Sequence, residues 1–476
     1  MGIEINDASA WSKSVFGKVN LGDKRLNKRL VQIGKQLSNE TGASLSKSCN
    51  GNEALLEGSY RFLRNDKVKV SKIASAGYDA TAHFAQNSSL ILAIEDTTSL
   101  VYSHDASKNL GYTSNNPNAK KRGYMVHSTM LMDAESEHTI GLIAQNRWCR
   151  EKNDFGKKHD CAKRPYKEKE SYKWEKNGYE LEARLGDKIK DTISVCDREA
   201  DIYEYIQYKI ENEQRFIIRA RHNRPLAELQ INLAEHLSEV ESLGTYTIEI
   251  AQKSNRKKRT VELALKATSI TINPPAKLKG DTDALKPVRL NVVHAKEITD
   301  ETENILEWIL LTTEEISSFQ QARQITRYYE LRWRIEDFHK AWKSGTKVEY
   351  LRMQSIDNLE KMIVILSFAA IRLLQLKEHF EQERLTKASD DNCYPCTNVL
   401  SDAEWKVLWQ TTEKKRLPKA PPSTAWAFKS IAKLGGWTNS KRTGKASWAT
   451  IWDGWFKLNE RVKGFLLAQE LKCDNL

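Results

Sequence analysis

The chain has 476 residues, 40% hydrophobic and 29% charged; this is too long for one ordinary core, so two or three domains are predicted, and too apolar for a disordered chain. Lys and Arg outnumber Asp and Glu by 75 to 63, a net charge of +12, which points to a polyanionic partner, nucleic acid before anionic membrane. No run of about 18 apolar residues occurs, so neither a membrane span nor membrane association is expected.

In chain order, MGIEINDASAWSKSVF has no basic region followed by an apolar one and does not read as a secretory leader. Residues 1–70 read as helical and basic, with twelve Lys/Arg against seven Asp/Glu. Within LGDKRLNKRLVQIGKQL an apolar stripe (Leu26, Leu30, Ile33, Leu37) is surrounded by Lys24, Arg25, Lys28, Arg29 and Lys35. Any amphipathic helix could carry that stripe, but so many cations with few acids favour DNA, with Arg25, Lys28 and Arg29 as candidate contacts. A second helix is predicted at about 53–63.

SLILAIEDTTSLVY (89–102) is an apolar run closed by two carboxylates, as expected of a strand covered on both faces. A Gly/Asn/Pro loop (109–123), two strands (124–134 and 139–148), a polar basic loop (150–176) and a helix (about 170–190) follow. DTISVCDREADIYEYI (191–206) reads as a buried strand breaking into a helix, and RFIIRARH (215–222) as a fifth strand. Residues 223–305 have short alternating runs, a basic turn KSNRKKR and NPP, the pattern of a β-rich insertion. LEWILLTTEE (306–315) returns to a buried strand, 359–380 to an apolar helix, and the rest to helices, acidic over 377–413 and basic with many tryptophans over 414–476. The seven cysteines are scattered and odd in number, which predicts reduced cytoplasmic thiols. Cys393-Tyr-Pro-Cys396 lacks a second pair at zinc-finger spacing and reads as loop thiols.

YYELRWRIEDFHKAWKSG (328–345) is predicted as one helix. At about 100° per residue, Arg332, Glu336 and Lys343 fall within roughly 60° of Tyr329. A salt-bridged surface helix would give such a stripe. Trp333 and Trp342 beside it favour instead a carboxylate serving a metal ion next to a phosphate backbone.

Two strands ending in acids at Asp96 and Asp197, and a helix presenting Glu336, form the candidate constellation. An acid at a strand end is commonly a cap or turn residue. Glu95 competes with Asp96, but adjacent strand residues point to opposite faces; Glu199 and Asp201 compete with Asp197. Strand order and acid placement resemble the ribonuclease-H-like fold. In-line phosphodiester cleavage is served by two divalent ions about 3.5–4 Å apart, and hard carboxylate ligands suit Mg²⁺, with Mn²⁺ as its substitute.

IEDTTSL, CDREADI and the Tyr329-Arg332-Glu336-Lys343 signature resemble the DDE transposases of bacterial cut-and-paste elements, the group that contains the transposase of transposon Tn-five. LGDKRLNKRL, EGSYRFLRN and LGGW…SKRTGKASW are similar to that group as well. The resemblance implies an α/β architecture: a helical end-binding domain (1–70), a ribonuclease-H-like catalytic domain (71–376) with the insertion at about 223–305, and a helical dimerisation domain (377–476). It further implies a synaptic homodimer on double-stranded DNA, a 3′-hydroxyl freed at each element end, a hairpin intermediate and joining to target DNA. Asp96, Asp197 and Glu336 would hold the ions. Tyr329, Arg332 and Lys343 would grip phosphates, Trp308 would stack a flipped base, and Arg219, Trp333 and Lys340 would add contacts. By composition alone Trp308 would read as core, and Trp437, Trp448, Trp452 and Trp455 read as packing. An end-binding repressor without catalysis and a structure-selective nuclease of the same fold are the alternatives.

Overall fold

The computed structural model describes residues 5–114, 116, 119, 121–151, 164–227, 231–250, 259–275, 285–301, 304–385, 394–438, 440 and 446–473. Most of the basic turn KSNRKKR and Cys393 lie outside these. One nine-stranded sheet organises the chain, in the order β3-β2-β1-β4-β5-β9-β8-β7-β6. β1 (Ile91–Tyr102), β2 (Arg122–Asp133) and β3 (Thr139–Trp148) form an antiparallel meander. β4 (Thr192–Cys196) lies parallel to β1, and β5 (Arg215–Arg219) parallel to β4.

The insertion is not a separate layer. Its strands β6 (Gly244–Ile250), β7 (Arg259–Ile272) and β8 (Val288–Glu297) continue the same sheet, because β9 (Glu307–Thr312) pairs with β5 on one side and β8 on the other. β1 also differs from the predicted strand. It does not end at its acids: Asp96 lies opposite Ser128 and the ladder runs on to Tyr102 opposite Arg122. The reason is the sequence that follows, TTSLVY, whose β-branched and aromatic residues favour a pleated surface.

Five helices precede the sheet: α1 (Ala8–Phe16), α2 (Lys24–Asn39), α3 (Leu45–Ser48), α4 (Glu53–Arg64) and α5 (Val70–Ala85). Asp23 caps α2 by accepting the Arg25 N–H at 2.7 Å, and Asn52 caps α4 through the Leu55 N–H at 3.0 Å. Between strands lie α6 (Lys173–Leu185), α7 (Tyr203–Glu211) and α8 (Leu233–Glu239), the last being a helix within the predicted β-rich insertion. After β9 come α9 (Phe319–Leu331), α10 (Arg334–Lys340) and α11 (Ile356–Leu385), then α12 (Asp402–Thr412), α13 (Thr424–Leu434) and α14 (Trp448–Cys473).

The main apolar core joins Leu30, Ile33 and Leu37 of α2 and Phe62 of α4 to the sheet and to α11. The charges that interrupt α11 are anchors. Lys361, fully buried, donates to the Leu63 and Asn65 carbonyls at 2.7 and 3.2 Å. Arg372 donates to those of Ile5 and Ser38 at 2.8 and 2.9 Å. Burial lowers the Arg372 pKa to about 10. α5 approaches α11 closely: a Cβ at Gly77 would stand 2.2 Å from the Phe368 ring.

The stretch 328–345 is not one helix, contrary to the prediction. α9 stops at Leu331, where the Arg332 N–H turns back to the Tyr329 carbonyl at 3.1 Å, a tight i to i−3 closure. α10 restarts at Arg334, and Ala341–Gly345 widens into a π turn whose end the Thr346 N–H closes on the Ala341 carbonyl at 2.8 Å. Tightening and widening both change the rotation per residue, so the uniform 100° count that put Tyr329 and Lys343 on one stripe does not hold across this segment.

Candidate active site

The parallel pairing of β1 and β4 aligns Ile91 with Thr192 and Ile94 with Val195. Two residues further along each chain come Asp96, within β1, and Asp197, just past the end of β4. Asp96 is held within the ladder, with its Oδ1 accepting the Thr97 N–H at 2.8 Å. Asp197 follows the last residue of β4 and caps a short 3₁₀ turn, accepting the Glu199 N–H at 2.8 Å. α10 packs against β1 and carries Glu336.

The break between α9 and α10 places Arg332 among these acids. Its guanidinium is largely buried, with Nη1 3.8 Å from Asp96 Oδ2 and Nη2 3.6 Å from Glu336 Oε1. Burial pushes the Asp96 carboxyl up from 3.8 to about 6. Arg332 and the Thr97 N–H pull against that rise, and the charges of Asp197 and Glu336 add to it. Asp96, Asp197 and Glu336 all help to hold the Arg332 charge. Three carboxylates from β1, the end of β4 and α10 thus share one neighbourhood around one guanidinium.

The competitors are sorted by contacts. Glu95 is fully buried on the opposite face of β1, bonded to His127 and Asn177. Asp201 is buried and committed to the loop after β5: it pairs with Arg224 and accepts the Arg221 and His222 N–H groups at 2.7 and 2.9 Å. Glu199 pairs with Lys173 at 3.1 Å, and the Lys173 ammonium lies 5.7 Å from the Trp148 ring and 5.4 Å from the Trp174 ring. No spacing rule pointed to Lys173.

The predicted DNA contacts are distributed unevenly. Tyr329 is buried and meets Trp308 edge-on, ring centroids 5.6 Å apart. Trp308 is itself only 8% exposed and part of the main core. Trp333 is 48% exposed beside the Arg332 guanidinium, which lies 5.5 Å from its ring. Lys343 sits on the π turn, where burial lowers its pKa against the pull of Glu349. Lys340 is exposed and pairs with Asp337 at 3.6 Å, and Arg219, at the end of β5, donates to the Glu307 carbonyl at 2.8 Å. On α2, Arg25 and Lys28 are exposed. Arg29 turns inward over α4, so that a Cβ at Gly58 would stand 2.5 Å from its Nη2.

Residues 8–68 match the family described as Transposase DNA-binding, and residues 180–373 match the Transposase DDE domain. The chain carries the domains of a DDE transposase. The first match spans α1, α4 and the basic helix α2; the second takes in Asp197, Trp308, Tyr329, Arg332, Glu336 and Lys343. Asp96 lies outside both matches, so its place in this transposase rests on the register of β1 against β4. The mixed α/β architecture, a large sheet with a helical N-terminal region, agrees with a DDE domain, and the protein is an enzyme acting on DNA. Among the described residues no helix is long and apolar enough to cross a membrane.

DDE domains generally use divalent metals. The donor set here fits one: three carboxylates, hard oxygen donors, with Asp96 disfavoured as an anion until a cation offsets its burial. Among the described residues no three acidic, His or Cys side chains are already gathered as a metal cage. Asp96 and Glu336 lean toward Arg332, and Asp197 toward its own turn.

Proposed function

We propose that this is a cut-and-paste transposase, similar to that of transposon Tn-five, with Asp96, Asp197 and Glu336 as its catalytic acids. It binds the ends of its element, cleaves them through a hairpin intermediate and transfers the freed 3′-hydroxyl ends into target DNA. The observation that supports this reading is the parallel register of β1 against β4, which ends with Ile94 opposite Val195, two residues before Asp96 and Asp197, while Arg332 stands between Asp96 and Glu336.

The three carboxylates would hold two Mg²⁺ ions, or Mn²⁺ in their place, which supply activation of the attacking oxygen and stabilisation of the leaving one. Arg332 is placed to move from the carboxylates to a phosphate, where a charge-assisted guanidinium bond is strong. Tyr329, Lys343, Arg219, Lys340 and the exposed Trp333 extend that grip along the strand. Trp308, lying against Tyr329, would receive a base displaced from the helix, a stacking contact of about 1–3 kcal/mol. Residues 1–70 read the element end, with Arg25, Lys28 and Arg29 as their cations; 71–376 perform the chemistry; 377–476 join two copies. The exposed Phe465, Leu466, Leu467 and Leu471 on α14 support a second copy of this chain there. Such a protein would act in the bacterial cytoplasm.

The test is linear DNA bearing candidate element ends, a recipient plasmid and Mg²⁺, with wild type and Asp96→Asn compared. The reading predicts cleaved ends joined to the plasmid by the wild type, and end binding without cleavage by the variant. Cleavage without joining would favour a nuclease, a gel shift alone would favour a repressor, and cutting by Asp96→Asn would remove Asp96 from the site.

A further inference from the structure

Behind β1, on the face turned away from Asp96, lies a set of buried polar groups that neither cleavage nor DNA binding has so far required. Glu95 and Thr97 flank Asp96 in sequence and therefore point together to that far face. His127 of β2 stands opposite Thr97 in the ladder. Its Nδ1 is 3.0 Å from Thr97 Oγ1 and its Nε2 is 3.2 Å from Glu95 Oε2. Asn177 of α6 donates to the same Glu95 oxygen at 2.8 Å and also to Thr129 Oγ1. Glu95, His127 and Asn177 are all 0% exposed, and the Trp174 ring closes on His127 edge-on at 4.5 Å.

Burial pushes the His127 imidazole down, against the pull of Glu95, which favours the neutral ring. A neutral ring has one donor and one acceptor. With Nε2–H given to Glu95, Nδ1 accepts the Thr97 hydroxyl, and the direction of every bond in the chain follows. Apolar side chains would fill this space without the cost of desolvating a carboxylate. Oε1 of Glu95 even lacks a hydrogen-bond partner among the described residues. The polar set is therefore a poor choice for stability alone, and it reaches the other face through the Thr97 N–H that donates to Asp96 Oδ1.

We propose that Thr97, His127, Glu95 and Asn177 form a relay of positioning residues that aims the Asp96 carboxylate at its divalent ion. The inference rests on Asp96 being a metal ligand. Pinning the Thr97 side chain to His127 fixes the 96–97 peptide, and so fixes the N–H that holds Oδ1. Oδ2 is then left facing Arg332 and the other acids. Hydrogen-bond partners of a ligating carboxylate orient it in this way, and their loss costs about 10–100-fold in metal affinity.

The experiment uses Mn²⁺ as probe, read by electron paramagnetic resonance on the full chain mixed with linear duplex DNA. Wild type, Asp96→Asn, Thr97→Val and Thr97→Ser are compared, with melting temperature and gel shift recorded for each. Valine keeps the shape of threonine and removes the hydroxyl; serine keeps the hydroxyl. The expected result is Mn²⁺ affinity lowered at least about tenfold in Thr97→Val and unchanged in Thr97→Ser, with DNA retention unaltered in both. His127→Gln should weaken Mn²⁺ binding as Thr97→Val does. If Thr97→Val binds Mn²⁺ like wild type while Asp96→Asn does not, the relay is overturned and the site stands. If Asp96→Asn binds as well as wild type, or wild type binds none, the site assignment falls and the relay with it.

Discussion

Replacing Asp96 by Asn should stabilise the metal-free protein above pH 6, at the expense of cleavage. Burial raises the Asp96 carboxyl from 3.8 to about 6, so the folded chain holds that proton more tightly than the unfolded chain does. Below about pH 4 both states are protonated at this position and the carboxyl adds no pH-dependent term. Between about pH 4 and 6 the unfolded chain ionises first, and stability falls as pH rises. Above pH 6 the whole penalty is present. At 1.36 kcal/mol per unit over about two units it approaches 3 kcal/mol, an upper figure because the side chain is 21% exposed. Asparagine mimics the neutral acid and never incurs this penalty. Melting in EDTA should therefore put Asp96→Asn a few degrees above wild type at pH 8, with the two curves converging toward pH 4. If the variant melts at or below wild type at pH 8, Arg332 rather than desolvation dominates the carboxylate, and the reasoning fails.

Lys361→Met should cost about 1–3 kcal/mol, because the Leu63 and Asn65 carbonyls lose their buried donor; the melting temperature and earlier amide exchange at the end of α4 report it. Asp201→Ala should cost about 3–5 kcal/mol by leaving Arg224 buried without its carboxylate. A limited-proteolysis site opening near residue 221, where the two N–H groups lose their acceptor, is the accompanying sign. A variant as stable and as protease-resistant as wild type would contradict either assignment.

The acids of the candidate site could be proposed from sequence because they stand where apolar runs make strands unmistakable: ILAI before Glu95-Asp96, and TISVC before Asp197. Alternation alone separated Asp96 from Glu95, whose side chain lies on the buried far face. The break at Arg332 was not legible. YYELRWRIED contains neither Pro nor Gly, and the tight closure at Arg332 is accompanied by tertiary contacts, Tyr329 against Trp308 and the guanidinium against Asp96. The partners of Lys361 and Arg372 were hidden for a similar reason: a charge inside an apolar helix tells nothing of the distant carbonyls it meets. Arg29 shows the same limit in reverse. Its cationic neighbours gave no sign that its guanidinium lies over Gly58 of α4.

The break in the helix also explains why one arginine can face acids from two separate elements. On an unbroken helix Arg332 and Glu336 would form an i, i+4 surface pair, which contributes only about 0.3–0.5 kcal/mol. With the chain tightened at Arg332, the guanidinium is carried inward until Asp96 lies within 3.8 Å while Glu336 stays at 3.6 Å. Neither distance is that of a short, well-formed ion pair, and the Arg332 Nε has no hydrogen-bond partner among the described residues. A buried cation held this loosely by several carboxylates is balanced in charge but not locked in place.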